Sequence, residues 1–154
     1  MDNCINFKKE TLDSFVQAVK NRFPKKTFGY FLSSSLNGAP EDFIIFDDDI
    51  RNEWKDLFED YGNYYKRNED AGFLATPEEI FKVERHIRNN GMYKVGVFHS
   101  HQRHPAIFSK VDVDLHPEKN LWHLIISLRN LDVPQIKIFS IDEAHVKELK
   151  TAID

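Results

Sequence analysis

Short apolar runs of strand length alternate with two amphipathic segments of helical period, and this alternation confines the chain to a domain built on one sheet. After Thr11, which is suited to cap a helix, Leu12, Phe15, Val16, Val19 and Phe23 recur at intervals of three and four. Pro24 stops that helix, because proline disfavours helical geometry in the residue before it. The second helix is signalled more sharply. Thr76 is an N-cap, Pro77 takes the first helical position, and Glu79 completes a capping box. Ile80, Val83 and Ile87 then form the stripe expected to be buried, and Gly91 ends the helix. The strands expected around these helices are Ile5–Phe7, Phe28–Leu32, Phe43–Phe46, Tyr93–Phe98, Leu121–Leu128 and Gln135–Ile141. A polar loop through Lys110 follows Tyr93–Phe98. Between the Phe43–Phe46 strand and Thr76, the segment Ile50–Phe73 keeps Ile50, Trp54, Leu57, Phe58, Tyr61 and Tyr65 at helical spacing. It reads as a core-facing helix or as an insert.

At 154 residues the chain is sized for one domain, with 41% hydrophobic residues and 13 phenylalanines to fill a core. Lys+Arg 21 against Asp+Glu 25 leaves a net charge of −4, which excludes a global basic field for nucleic acid or an anionic membrane. Cys4 is the single cysteine, so no internal disulfide forms, and a lone thiol fits a reducing compartment. The longest apolar stretch, Leu121–Leu128, is interrupted by His123 and Ser127 and is too short to cross a bilayer. The start Met1-Asp2-Asn3-Cys4 lacks a signal-peptide pattern. A cytoplasmic protein with one domain over 1–154 is the expectation.

The chemistry gathers where the strand Tyr93–Phe98 ends. His99, His101 and His104 fall within six positions there. Residues two apart in an extended chain share a face, so His99 and His101 can offer both imidazoles to one ion. A catalytic zinc takes three protein ligands and keeps one position open. Asp112, eleven residues after His101, can supply a carboxylate, and Ser109, eight after it, can donate a hydrogen bond to an oxyanion. Taken singly these residues have plainer readings: two histidines at a strand end, and Ser109 as a helix N-cap with Asp112 in the first turn. Taken together, with serine and aspartate at fixed offsets, the pattern has a chance expectation on the order of 0.001 in such a chain.

The constellation His99-Ser100-His101, seven residues, Ser109, two residues, Asp112 resembles the signature of the JAMM (MPN-type) zinc metallopeptidases. Val95-Gly96-Val97-Phe98 looks like that family's strand entering the metal site. The likeness extends over most of the chain, from the helix that ends in Pro24 to the Leu121–Leu128 strand. The resemblance implies an α/β domain whose mixed, curved sheet is flanked by helices 11–23 and 77–90. It implies Zn2+ held by His99, His101 and Asp112, with Ser109 stabilising the tetrahedral intermediate. It further implies hydrolysis of a peptide or isopeptide bond after the C-terminal tail of a ubiquitin-like, sulfur-carrier-type protein. In the family a catalytic glutamate lies two residues after the proline that ends the first helix. Here Pro24-Lys25-Lys26 puts Lys26 at that position. Protonated lysine cannot take a proton from water, so Lys26 is either a catalytic residue of altered chemistry or a solvated lysine at a helix end. Gln102 also stands where many relatives carry proline.

Two rival functions follow from Lys26. One is a binding module for a ubiquitin-like protein or a partner subunit. The other is a zinc hydrolase of another amide whose base is a different carboxylate, with Glu41, Glu53, Glu59 and Glu69 as candidates. Among the remaining residues, His116 can share a helix face with Asp112, and Arg103 and His104 line the loop. His86, His123 and His145 read as structural, and Cys4 as a small apolar residue. Tyr64, Tyr65 and Phe73 of the insert can grip an extended peptide tail.

Overall fold

The structure, a computed structural model, describes residues 4–46, 76–107, 120–142 and 145–154. Among these residues, seven strands and two helices follow one another as β1 (Cys4–Phe7), α1 (Lys9–Arg22), β2 (Phe28–Ser33), β3 (Asp42–Ile45), α2 (Pro77–Asn89), β4 (Tyr93–His101), β5 (Trp122–Ser127), β6 (Gln135–Asp142) and β7 (His145–Ile153). The strands form one sheet in the order β1-β7-β6-β5-β4-β2-β3. The pairs β1–β7 and β4–β5 are parallel, and the other four are antiparallel. The segment 50–73, with Tyr64, Tyr65 and Phe73, lies outside the described residues.

Both helices form where the periodicity predicts, and each buries one stripe. α1 buries Leu12, Phe15 and Val19. It begins two residues before Thr11, with Lys8 at the cap position and no side-chain cap bond. Thr11 lies inside the helix instead, and its hydroxyl donates to the Glu41 carbonyl at 3.3 Å. α2 starts as expected, with Thr76 Oγ1 accepting from the Glu79 N–H at 3.1 Å. Its end uses Gly91 at φ +64°, a left-handed conformation that costs glycine little. The buried stripe of α2 is narrower than expected: Val83 and Ile87 are buried, whereas Ile80 is 38% exposed. Lys94 Nζ on β4 ties the helix down through Glu84 Oε1 at 2.5 Å, under a cation–π contact with Tyr30.

The sheet is strongly curled. Five strand spacings separate β1 from β2, roughly 24 Å in a flat sheet. Yet the Phe7 ring of β1 lies 5.3 Å from Phe31 of β2 and 5.9 Å from Trp122 of β5, both edge to face. The curl closes around α1, whose Phe15 stacks against Phe31 and Phe98 at 4.8 Å each. Leu124, Ile126, Ile138 and Leu149 complete this core. The opposite face of the central strands packs Phe28, Tyr30, Leu32 and Val97 under Val83 and Ile87 of α2. Gly96 is required where β4 passes Trp122: a Cβ there would lie 2.4 Å from the indole.

β4 continues three residues beyond the expected Phe98, because His99 pairs with Phe28 on one side while His99–His101 pair with Ile125–Ser127 on the other. β7 is the strand the sequence does not announce. Leu149 is its one buried hydrophobic residue, and pairing with β6 and β1 holds a segment whose side chains are mostly exposed.

Candidate functional site

His99, Ser100 and His101 occupy the C-terminal end of β4, in the parallel pair β4–β5 at the middle of the sheet. Strand alternation sends the two histidines to one face and Ser100 to the other. All three are buried. Ser100 latches the strand end to the residues entering β2. Its N–H donates to the Thr27 carbonyl at 2.9 Å, and its Oγ accepts from the Thr27 N–H at 2.8 Å. The next residue outward in this register is Lys26, which is half-buried beside the histidine end of β4.

The two imidazoles are fixed from several sides. Nε2 of His99 and Nε2 of His101 lie 3.0 Å apart. The Nδ1 of His101 lies 2.9 Å from the Pro105 carbonyl, and since a carbonyl only accepts, Nδ1 carries the proton and Nε2 of the neutral ring carries the lone pair. The loop presenting that carbonyl is pinned on both sides. The Ser127 hydroxyl donates to the His104 carbonyl, and the Ala106 N–H donates to Gln135 Oε1 at 2.9 Å. Leu128 N–H closes the arrangement with a 2.7 Å bond to the His101 carbonyl. Behind His99, its Nδ1 meets Nε2 of His123 at 2.6 Å, with the rings edge to face and centroids 4.7 Å apart.

This donor set fits a zinc ion. Two imidazole nitrogens on a tetrahedral zinc, each at about 2.0–2.1 Å, stand about 3.3–3.4 Å from one another, a few tenths of an ångström from the separation found here. Among the described residues, no group of three His, Cys, Asp or Glu side chains converges to hold a metal by itself. The expected third ligand, Asp112, and the expected oxyanion donor, Ser109, lie outside the described residues, as does His116.

The other candidates are sorted by the fold. Glu41 is removed from the list of alternative bases. Its carboxylate accepts from Ser33 Oγ, Ser34 N–H and Ser34 Oγ, beside the end of β2 that pairs with Tyr93. That is the end of β4 opposite His99. The bonds from Ser34, backbone first, and from Ser33 hold the Glu41 carboxyl below its ordinary pKa. Glu53, Glu59 and Glu69 lie outside the described residues. Arg103 is exposed in the loop after β4, and His104 joins the loop packing through its carbonyl. His86 lies at the end of α2 and His145 at the exposed start of β7, both apart from the pair. His123, read from the sequence as structural, is buried and lies against His99, a contact the sequence reading did not foresee. Its signal was an imidazole interrupting the most apolar strand of the chain.

Residues 8–142 match the family described as prokaryotic homologs of the JAB domain. No curated protein matches the sequence. Among solved structures, the chain is similar to a protein from Desulfitobacterium hafniense, with a TM-score of 0.72 and 22% identity over 97% of this chain and 92% of that one. It is also similar to a protein from Salinibacter ruber, with a TM-score of 0.65 and 16% identity over 97% and 91%. A JAB1/MPN domain protein from Archaeoglobus fulgidus matches with a TM-score of 0.52 and 15% identity over 96% and 98%. These three likenesses are likenesses of fold.

Proposed function

The chain belongs to the family of prokaryotic homologs of the JAB domain, and on that premise we propose that it is a zinc-dependent peptidase or isopeptidase. Its substrate on this reading is the bond after the C-terminal tail of a ubiquitin-like, sulfur-carrier-type protein. The observation that carries the reading is the buried pair His99 and His101, whose Nε2 atoms face one another at 3.0 Å at the end of a central strand. His99, His101 and Asp112 would hold the metal. Bound zinc supplies Lewis acidity, lowering the pKa of a water and polarising the scissile carbonyl. Ser109 would donate its hydroxyl to the oxygen that becomes negative as the carbonyl carbon turns tetrahedral. The Ser100–Thr27 latch keeps the segment carrying Lys26 against the histidine strand. Lys26 in its ammonium form can give a proton to the departing amine, but it cannot accept one from water.

The test is zinc content together with hydrolysis of a ubiquitin-like protein extended beyond its terminal glycine. About one zinc per chain is expected, with loss of stoichiometric zinc in His99→Ala and His101→Ala. Ser109→Ala should keep the metal while turnover falls by roughly 100-fold or more. Full zinc in both histidine variants would sink the ligand assignment.

Lys26 favours a second reading, in which the same fold and metal hold a ubiquitin-like tail or a partner subunit without cutting it. Tight binding of an uncleaved tail by the zinc-loaded protein would select this module over the enzyme.

A further inference from the structure

We propose that His123 is a positioning residue for the metal pair, acting through His99. The inference rests on the zinc reading above and adds to it a residue outside the His-Ser-His, Ser, Asp constellation. Ligating histidines donate their second ring N–H to a fixed acceptor, which sets the tautomer and aims the lone pair. His101 has such an acceptor in the Pro105 carbonyl, at 2.9 Å from Nδ1. For His99 that place is taken by Nε2 of His123, at 2.6 Å from Nδ1.

An imidazole differs from a carbonyl in one respect that matters here: it can accept or donate. With neutral rings and no metal, His101 Nε2 is an acceptor because its Nδ1 donates to Pro105. His99 then donates through Nε2 to His101, and its Nδ1 accepts from His123 Nε2–H. When both Nε2 lone pairs serve a metal, His99 carries its proton on Nδ1, His123 shifts its own from Nε2 to Nδ1, and the freed His123 Nε2 lone pair accepts from His99 Nδ1–H. The His99–His123 bond therefore survives in both states with its direction reversed, and His99 always has a partner.

The register explains how a residue of β5 reaches this place. His123 lies opposite Val97 in the parallel β4–β5 pair, one pleat before Ile125, which lies opposite His99. Residues 97, 99, 123 and 125 share the same face, so the His123 ring lies diagonal to His99 across the two strands. It is 3% exposed, beside the buried Trp122, Leu124, Ile125 and Ile126 of the same strand. Burying an imidazole there is costly unless it is hydrogen-bonded, and one bond that His123 makes is to the candidate ligand.

The experiment compares zinc affinity, by competition with a chromophoric chelator, in the wild type, His123→Leu and His123→Gln. Glutamine places an amide oxygen near the position of Nε2, whereas leucine fills the space without an acceptor. We expect His123→Leu to bind zinc about 10–100-fold more weakly, and His123→Gln to recover most of that loss. In parallel, long-range 1H–15N spectra of the wild type should place the His99 proton on Nε2 without metal and on Nδ1 with zinc. If His123→Leu binds zinc as tightly as a zinc-binding wild type, His123 only fills the core and the metal reading stands. Equal weakening in both variants also overturns the acceptor role. If His123→Leu does not fold, the His99 proton position in the wild type decides, and a zinc-loaded ring without a proton on Nδ1 overturns the proposal. A wild type that binds no zinc fails the metal reading itself, and the inference falls with it.

Discussion

The three residues of the His99-Ser100-His101 run do different work, and the pleat is the reason. The histidines point to one face and hold their Nε2 atoms together, while Ser100 on the other face gives its Oγ to the Thr27 N–H at 2.8 Å. Ser100→Ala would leave that buried N–H without its acceptor, at a cost of about 1–3 kcal/mol. Chemical denaturation should show this loss with zinc content kept, since neither imidazole depends on the hydroxyl. A zinc-free Ser100→Ala protein would mean that the latch holds the metal site directly. Lys26, on the far side of Thr27, decides between hydrolase and module. A glutamate there restores a group able to accept a proton, and a general base contributes about 10²–10⁴ in rate. Lys26→Glu should therefore raise cleavage of a ubiquitin-like tail by about tenfold or more without changing zinc content, and add a carboxylate limb to the pH–rate profile. An already fast wild type, unmoved by Lys26→Glu, would assign proton transfer to another residue.

At the scale of elements, the β2–β3 connection is held by one carboxylate. Glu41 gathers three bonds from Ser33 and Ser34, while its own N–H donates to the Leu32 carbonyl at 2.8 Å. These bonds hold the folded-state pKa of Glu41 below its unfolded value. Between the two values the unfolded chain binds more protons, so the stabilisation is complete above the ordinary carboxylate range and is lost as pH falls through the folded-state pKa. Glu41→Gln should remove that part of the acid limb of a stability–pH curve and leave the neutral-to-basic part flat in shape. An unchanged acid limb would mean that Glu41 contributes no pH-dependent stability to the hairpin.

The same scale shows what was legible beforehand. α2 was legible because Thr76 and Pro77 mark its start chemically, and Thr76 Oγ1 does accept from Glu79. The His99 and His101 pair was legible because their spacing of two matches the pleat. β7 was not, since its formation rests on backbone pairing to two neighbours while its side chains carry no strand-like alternation of buried and exposed residues. α1 starts two residues before Thr11 for a related reason. Thr11 has the chemistry of a cap, yet its hydroxyl is claimed by the Glu41 carbonyl thirty residues away. The contact between His123 and His99 is hidden in the sequence because it depends on the β4–β5 register, which no local pattern encodes.

For the whole molecule, the curl places the larger aromatic core and the histidine pair on opposite faces of the sheet. The concave side encloses α1 and an aromatic core, while the histidines lie on the opposite face of β4. Phe7 is the closure of that curl, because it carries edge strand β1 onto Phe31 and Trp122 across the width of the sheet. Its ring is fully buried. Truncating such a ring costs about 3–5 kcal/mol, through lost transfer free energy and the cavity left behind. For a chain of this length each kcal/mol moves the melting temperature by about 2–4 °C, so Phe7→Ala should melt about 6–20 °C lower. If the two faces are as independent as the packing indicates, the variant should still bind zinc with wild-type affinity well below its transition. Calorimetry and zinc competition on the same preparation make the comparison. A loss of zinc affinity that parallels the loss of stability would show instead that closure of the sheet and alignment of the imidazoles are one cooperative event.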